Sequence, residues 1–421
     1  MSDYQTHVFT STYTADVSGV CSAMYELGGM TIIHDPSGCN STYSTHDEPR
    51  WFDSDSLMFV SGLDEMTAVL GDDTVLLKDA AAAAADLKPR FITLCSGSIP
   101  HIISFDCKGV AHLLEKETGI PVLPVVTTGN RSYLNGVGAA LTEWIKRFGN
   151  PKESPYRNET PVLSVNLLGV TPLDFSVNDN VKALQSAFEN SGIPVNCCAA
   201  MGESFDSLSH IFRGAVNVVV SSAGRRPARY MEQVAGIPRV EGLSIGSDAH
   251  SQLISLVQEA FQAKITSAPA QDTGKSTGSS LRDLLSKKKV ESVPSLSAQN
   301  PVHPRWDIPE GQILIIGEEV FGQSLAYAIN QLPKPDRQGL SAYAVWPDTD
   351  HGFPEEELIH LIRKSKIVIG DPLYQVIPRS ADTHFVDFPH EAYSGRIYRK
   401  DIPVFAGPEF SVAELISNKN L

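Results

Sequence analysis

Short apolar runs rich in β-branched residues alternate along most of the chain with stretches whose apolar positions recur every three or four residues. The first pattern suits buried strands and the second suits helices with one apolar face, so their alternation predicts parallel strands joined by crossover helices. The fold class is therefore read as α/β, built from three Rossmann-like, doubly wound, parallel-sheet units. In the first unit, strands are expected at 30–34, 91–94 and 122–126, and helices at 76–86, 109–118 and 135–148. The first of these helices carries the alanine run Ala80 to Ala85, a strong helix signal. In the second unit, strands are expected at 162–168, 194–197, 216–220 and 239–243, with helices at 181–190, 205–213, 227–234 and 248–263. In the third, strands are expected at 312–316, 341–345, 367–369, 384–386 and 403–405, with helices at 321–331, 355–364 and 411–417.

Two stretches break both periodicities. Residues 149–161 are rich in Pro, Asn, Lys and Glu and mark a boundary. Residues 266–304 turn to Ser, Lys, Gln, Thr and Pro around one short helical stretch at 280–289, and read as a linker or surface excursion. The expected division is 1–150, 151–265, the linker 266–304, and 305–421. A chain of 421 residues buries enough surface to fold without disulfides or metals. Its formal charge of −15 excludes a nucleic-acid or anionic-membrane partner held by a broad basic face. No run approaches the roughly 20 apolar residues of a membrane span, and the polar, acidic start lacks the pattern of a secretory signal. A cytoplasmic protein that binds small molecules and other proteins is expected. Its 6 cysteines are too few for a disulfide framework, so in a reducing compartment each is a core hydrophobe, a nucleophile or a metal ligand.

Several familiar signals fail on inspection. Gly274-Lys275-Ser276 resembles the end of a phosphate-binding loop, but Pro269 stands where that motif requires glycine. Gly317 to Gly322 lacks the intervening glycine of a dinucleotide loop and reads as a turn. Cys197 and Cys198 are adjacent, which sends their side chains to opposite faces of a strand and makes them core thiols. The 12 histidines form no His-Glu-x-x-His or helical i, i+3 ligand pair.

Three other cysteines stand in chemically informative places. Cys21 lies in Gly19-Val20-Cys21-Ser22 at the start of a helical run, where the positive helix end favours a thiolate. Cys39 closes the loop His34-Asp35-Pro36-Ser37-Gly38-Cys39 after a strand, and Cys95 opens Cys95-Ser96-Gly97-Ser98 at the end of another. Carboxyl ends of parallel strands are where such sheets bind ligands. Gly38 and Gly97 carry no side chain beside the two thiols, which lets backbone N–H groups approach cluster sulfide and favours iron–sulfur over zinc. Spacing alone leaves open whether the three thiols meet or merely fall in separate loops. Cys107, twelve residues past Cys95, reads as a core thiol first and a ligand second.

The run Gly19-Val20-Cys21, followed by Gly28-Gly29-Met30-Thr31-Ile32-Ile33-His34-Asp35-Pro36-Ser37-Gly38-Cys39, resembles the amino-terminal cluster-binding stretch of nitrogenase component 1 proteins. In that family a His-Gly-Pro-x-Gly-Cys loop follows an earlier cysteine; here Asp35 replaces its glycine. Val60-Ser61-Gly62-Leu63-Asp64-Glu65, Gly71-Asp72 and Thr118-Gly119-Ile120-Pro121-Val122 are similar to the family's path to and past its third cysteine. Weaker similarity runs through Met231 to Pro238, Val368 to Pro372 and Phe388 to Ala392, so the resemblance covers nearly the whole chain.

The resemblance implies that Cys21, Cys39 and Cys95 ligate an iron–sulfur cluster, and that 1–150 is the cluster-binding domain. A [4Fe–4S] cluster ordinarily takes four ligands. Three thiols per chain thus imply either a bridging [8Fe–7S]-type cluster shared with a second copy or paralogous component 1 subunit, or a [4Fe–4S] cluster completed by a carboxylate or Cys107. The implied partner is an ATP-hydrolysing iron protein that delivers low-potential electrons, which leave for an unidentified small molecule or bound cofactor. Ala228 stands where the nitrogenase catalytic subunit anchors its iron–molybdenum cofactor, so that cofactor is not expected; any second metallocofactor is not legible. Two alternatives are a metallocofactor assembly scaffold of the same family and a metal-chelate-binding protein. Among polar residues, His46 and His101 are the candidate catalytic groups for proton delivery. The segment His46-Asp47-Glu48-Pro49-Arg50-Trp51 otherwise reads as a solvated loop, and Arg225-Arg226 as an exposed basic pair or an anchor for an acidic group.

Overall fold

A computed structural model describes residues 15–40, 48–158, 161–267, 293–296, 308–346 and 355–417. The buried apolar runs form three four-stranded sheets in which every pairing is parallel. The first holds β1 (Met30–His34), β2 (Leu57–Val60), β3 (Ile92–Ser96) and β4 (Val122–Pro124), in the order β2-β1-β3-β4. The second holds β5 (Val165–Leu168), β6 (Val195–Ala199), β7 (Val216–Val219) and β8 (Arg239–Glu241), in the order β6-β5-β7-β8. The third holds β9 (Ile313–Ile316), β10 (Ala342–Val345), β11 (Ile367–Gly370) and β12 (His384–Asp387), in the order β10-β9-β11-β12. Each sheet is thus wound the same way, and each has its topological switch between its first and third strands. The central strands β1, β9 and β11 are buried along their whole length, as a sheet covered by helices on both faces requires.

Some details depart from the sequence expectation. β2 is an additional strand, an edge of four residues with Phe59 39% exposed, too short and too open to show a buried run. Conversely, 403–405 is no strand, because side chains stand in for the ladder. Asn180 Nδ2 donates to the Pro403 carbonyl at 3.1 Å, while its Oδ1 accepts from the N–H groups of Phe405 and Ala406 at 2.8 and 3.0 Å. The expected helix at 205–213 divides into Phe205–Ser209 and a 3₁₀ turn at Ile211–Arg213. The stretch 280–289 lies outside the described residues.

The cores do not respect the sheets. One apolar cluster joins Val165, Leu167 and Val218 of the second sheet to Ile313, Ile315 and Ile369 of the third. Another joins Val20, Leu123 and Trp144 of the first unit to Leu168, Phe212 and Met231 of the second. Cys197 and Cys198 fall in different clusters, on opposite faces of β6, as core thiols. No helix among the described residues is long and apolar enough to cross a membrane.

Candidate metal centre

The carboxyl edge of the first sheet, at the switch between β1 and β3, carries the cysteines. Cys95 lies on β3 opposite Ile33 and is fully buried, its Sγ donating to the Ile32 carbonyl at 3.7 Å. Cys21, also fully buried, reaches it from the helix Asp16–Met24; the thiol hydrogen bond between the two, reinforced by burial, pushes the Cys95 thiol well above its ordinary range. That helix approaches closely because glycines face it. A Cβ on Gly19 would overlap the Tyr133 carbonyl of the helix Tyr133–Phe148, and one on Gly136 would overlap the Asp16 carbonyl. Asp16 then ties down the loop after β4, accepting from the N–H groups of Thr128 and Gly129 at 2.8 and 2.9 Å.

Cys39 is exposed on the short turn Ser37–Asn40, and the slight desolvation of its sulfur with the charge of Asp35 raises its thiol. Asp35 links the two loops. Its carboxyl occupies the space where a Cβ on Gly97 would stand, so glycine is required there sterically. Asn40 Nδ2 donates to Asp35 Oδ2 at 2.5 Å, whereas Oδ1 is buried with no hydrogen-bond partner among the described residues. Burial pushes this carboxyl up to about 6. A Cβ on Gly38 would meet no described atom within 4 Å, so that side of the backbone beside Cys39 is open. Two adjoining thiols, a third on the turn after β1 and the Asp35 carboxyl beside it are donors of the kind an iron–sulfur cluster takes. Among the described residues no three His, Cys, Asp or Glu side chains group as a site for a single ion.

The remaining candidates are dispersed. Cys107 turns away into the core with Val110 and Leu114, its Sγ donating to the Leu94 carbonyl at 3.4 Å. His101 is exposed on the turn Ser98–Ile102, and His46 lies outside the described residues. Glu48, Pro49 and Arg50, expected in a solvated loop, are buried. Arg50 is buried against Glu48 at 2.6 Å and Glu26 at 2.7 Å, with its guanidinium 4.7 Å from the Tyr25 ring centre, so these charges form a structural ion network. His34 opens the thiol loop, and its place in that motif is all that marks it in the sequence. It is buried, bonded to Ser61 Oγ at 2.8 Å and packed 4.4 Å from the Phe105 ring, and burial lowers its imidazole to about 4.

A second polar centre lies where the three units meet. Tyr133 donates to Asp174 Oδ1 at 2.5 Å, His390 Nε2 lies 3.2 Å from the same oxygen, and Ser221 donates to Oδ2 at 2.7 Å. Each partner of Asp174 comes from a different unit. Glu318 lies close by, buried, accepting from Ser222 and the Phe321 N–H; burial and the Asp174 charge raise its carboxyl. Beside this junction opens a cavity of about 330 Å³, reached by Tyr133, Arg225, Arg226, Arg229, Glu318 and Trp346. No local motif announces it, because its residues are drawn from three units.

Comparison with known proteins gives consistent results. A family model described as nitrogenase component 1 type oxidoreductase matches residues 19–290. A light-independent protochlorophyllide reductase subunit from Methylobacterium sp. (strain 4-46) is 30% identical over 208 residues, covering 48% of this chain and 39% of the relative. The nitrogenase iron-molybdenum cofactor biosynthesis protein NifE of Methanococcus maripaludis is 23% identical over 287 residues, 65% of this chain and 57% of the relative. The alignments thus span less than two thirds of these relatives' lengths. A solved structure titled "Nitrogenase Cp1 at pH 6.5" shares the fold, with a TM-score of 0.61 at 14% identity, over 99% of this chain and 94% of that one.

Proposed function

Because the chain belongs to the nitrogenase component 1 type oxidoreductase family, which includes both reductases and cofactor-assembly proteins, we propose that it is a cluster-bearing oxidoreductase component. In this reading it accepts low-potential electrons from an ATP-hydrolysing iron protein and passes them to a small molecule or cofactor held where its three units meet. The observation that carries the proposal is the contact of Cys21 with Cys95 at the β1/β3 switch, with Cys39 on the adjoining turn.

Cys21, Cys39 and Cys95 would hold the cluster, which supplies reversible one-electron storage at low potential. Gly38 leaves the backbone beside Cys39 free of side-chain bulk, and Gly97 makes room for the Asp35 carboxyl. Helix Asp16–Met24, clamped to its neighbour by Gly19 and Gly136, fixes the Cys21 sulfur; Asp16 holds the β4 loop in place. Asp35 sits where its free oxygen can serve as a further ligand to a [4Fe–4S] cluster; a second copy or paralogous subunit would instead double the thiols for an [8Fe–7S] cluster. The division into a cluster-bearing 1–150 and two further α/β domains belongs to the same proposal.

Anaerobic purification with iron and sulfide analysis tests this reading. The expected outcome is a brown protein that Cys39→Ser bleaches and Cys198→Ser does not; a colourless protein after reconstitution, or equal loss in both variants, overturns it. A second reading, an assembly scaffold, is favoured by the similarity to NifE, which extends across 65% of the chain. Under it, the protein supplied with the iron protein and ATP would hand a bound metallocofactor to an acceptor protein without reducing a small molecule.

A further inference from the structure

Away from the thiol loops and the three-unit junction, an open cleft of about 640 Å³ lies between the helix Asn180–Asn190 of the second unit and the chain after β12 in the third. The helix lines it with Ala183, Ser186 and Ala187, whose short side chains leave the space unfilled. Phe388, Val404, Phe410 and Leu415 give the cleft apolar surface, and Val404 is 44% exposed. Around that surface stand Asp387, Asp401, Glu409 and Glu414, and no Lys, Arg or His is among the lining residues. Asp387 accepts from Gln375 Nε2, a neutral donor, and the other three carboxylates have no ion pair among the described residues. The cations nearest in sequence lie outside the lining: Arg399 and Lys182 are held by Glu391 and Asp179 at 2.7 and 3.0 Å, and Lys400 is exposed. Like charges gathered at one cleft attract a counter-cation. Their backbone is held in place as well. Asn178 Nδ2 donates to the Ile402 carbonyl at 3.1 Å, the Gly407 N–H donates to the Ser244 carbonyl at 2.7 Å, and the Gly407 carbonyl accepts from the Gly246 N–H at 3.0 Å. With the bonds of Asn180, these fix the chain between Asp401 and Glu409, so a ligand need not order it.

We propose that this cleft binds a linear aliphatic polyamine, with its ammonium groups at the carboxylates and its methylene runs on the apolar surface between them. The inference goes beyond the redox reading and does not depend on it. A compact hydrated cation answers the charges but leaves Val404 and Phe410 in water. Methylene stems cover such surface while their charged ends stay at the polar rim, so a polyamine answers both features at once. The volume lies within the range for ligand sites, about 300–1,000 Å³.

Titration calorimetry of the full chain with spermidine, against hexaamminecobalt(III) at matched ionic strength, tests the proposal. Both are trications, and only spermidine carries methylenes. Spermidine is expected to bind about tenfold more tightly or better. Asp401→Asn and Glu409→Gln should each weaken spermidine about threefold, the worth of one exposed ion pair, and together about tenfold. Both residues are exposed, and unchanged thermal unfolding without spermidine verifies that the variants are folded. Asp79→Asn, at an exposed position of the helix Thr74–Leu87, removes the same charge elsewhere and should leave binding unaltered. Absence of spermidine binding, equal or tighter binding of the cobalt complex, unaltered affinity in the double variant, or an equal loss in Asp79→Asn overturns the proposal. A trilysine peptide that binds more tightly than spermidine assigns the cleft to a basic protein segment and overturns it as well. Binding is expected to be the same with and without iron–sulfur reconstitution, so a colourless protein that binds spermidine overturns only the redox function, and a brown protein indifferent to it overturns only this inference.

Discussion

The Asp35 carboxyl and Gly97 share one space, and that sharing is testable as a pair. Gly97→Ala forces a methyl into the carboxyl and should cost about 1–3 kcal/mol in urea unfolding. In an Asp35→Gly background, which restores the family's loop pattern, the same alanine should cost much less, and the double-mutant cycle should show that the two positions are coupled. His34 offers a second test at this scale. The unfolded imidazole binds its proton near 6.5, whereas the buried one does so only near 4. Its contribution is therefore complete above 6.5 and is lost as pH falls from 6.5 towards 4, by about 2–3 kcal/mol. Metal-free protein should show this loss in denaturant titrations across that window, and His34→Gln should flatten it.

Among the elements, the segment after Tyr398 shows how a side chain replaces a strand partner. Asn180 is wholly buried and serves the carbonyls of Phe175 and Pro403 and the N–H groups of Phe405 and Ala406. Asn180→Leu leaves all four partners unpaired while keeping the branched heavy-atom skeleton, and should cost about 3–5 kcal/mol by chemical denaturation. The same bonds explain why residues 403–405 carry a strand's composition without being one. Sequence legibility follows burial: β1, β9 and β11 are continuous buried runs that can be read directly, while β2 shows only an edge. The thiol loops are legible through Gly38, Gly97 and the resemblance they carry. Asp35's wedge and the arginine-lined cavity are not, because each depends on residues brought together across crossovers. The charges at Glu48 and Arg50 mislead for the same reason, since their partners Glu26 and Ser22 lie on another element.

At the scale of the whole molecule, Asp174 is a point where all three units meet, through hydrogen bonds from Tyr133 and Ser221 and a close polar contact with His390. Tyr133→Phe leaves a buried carboxylate oxygen short of its donor and should cost about 1–3 kcal/mol, within a single cooperative transition seen alike by fluorescence and circular dichroism. Cooperativity is expected because the sheets lend one another their interiors. Val137, Leu141 and Trp144, although carried by the first unit, are covered by Leu168, Phe212 and Met231 of the second. A truncated gene product ending near Gly149 would retain every strand of its sheet and yet display an oily flank to water, inviting precipitation. Minimal-domain expression is thus the wrong way to isolate the thiol-bearing edge, and point variants in the intact polypeptide are the right one.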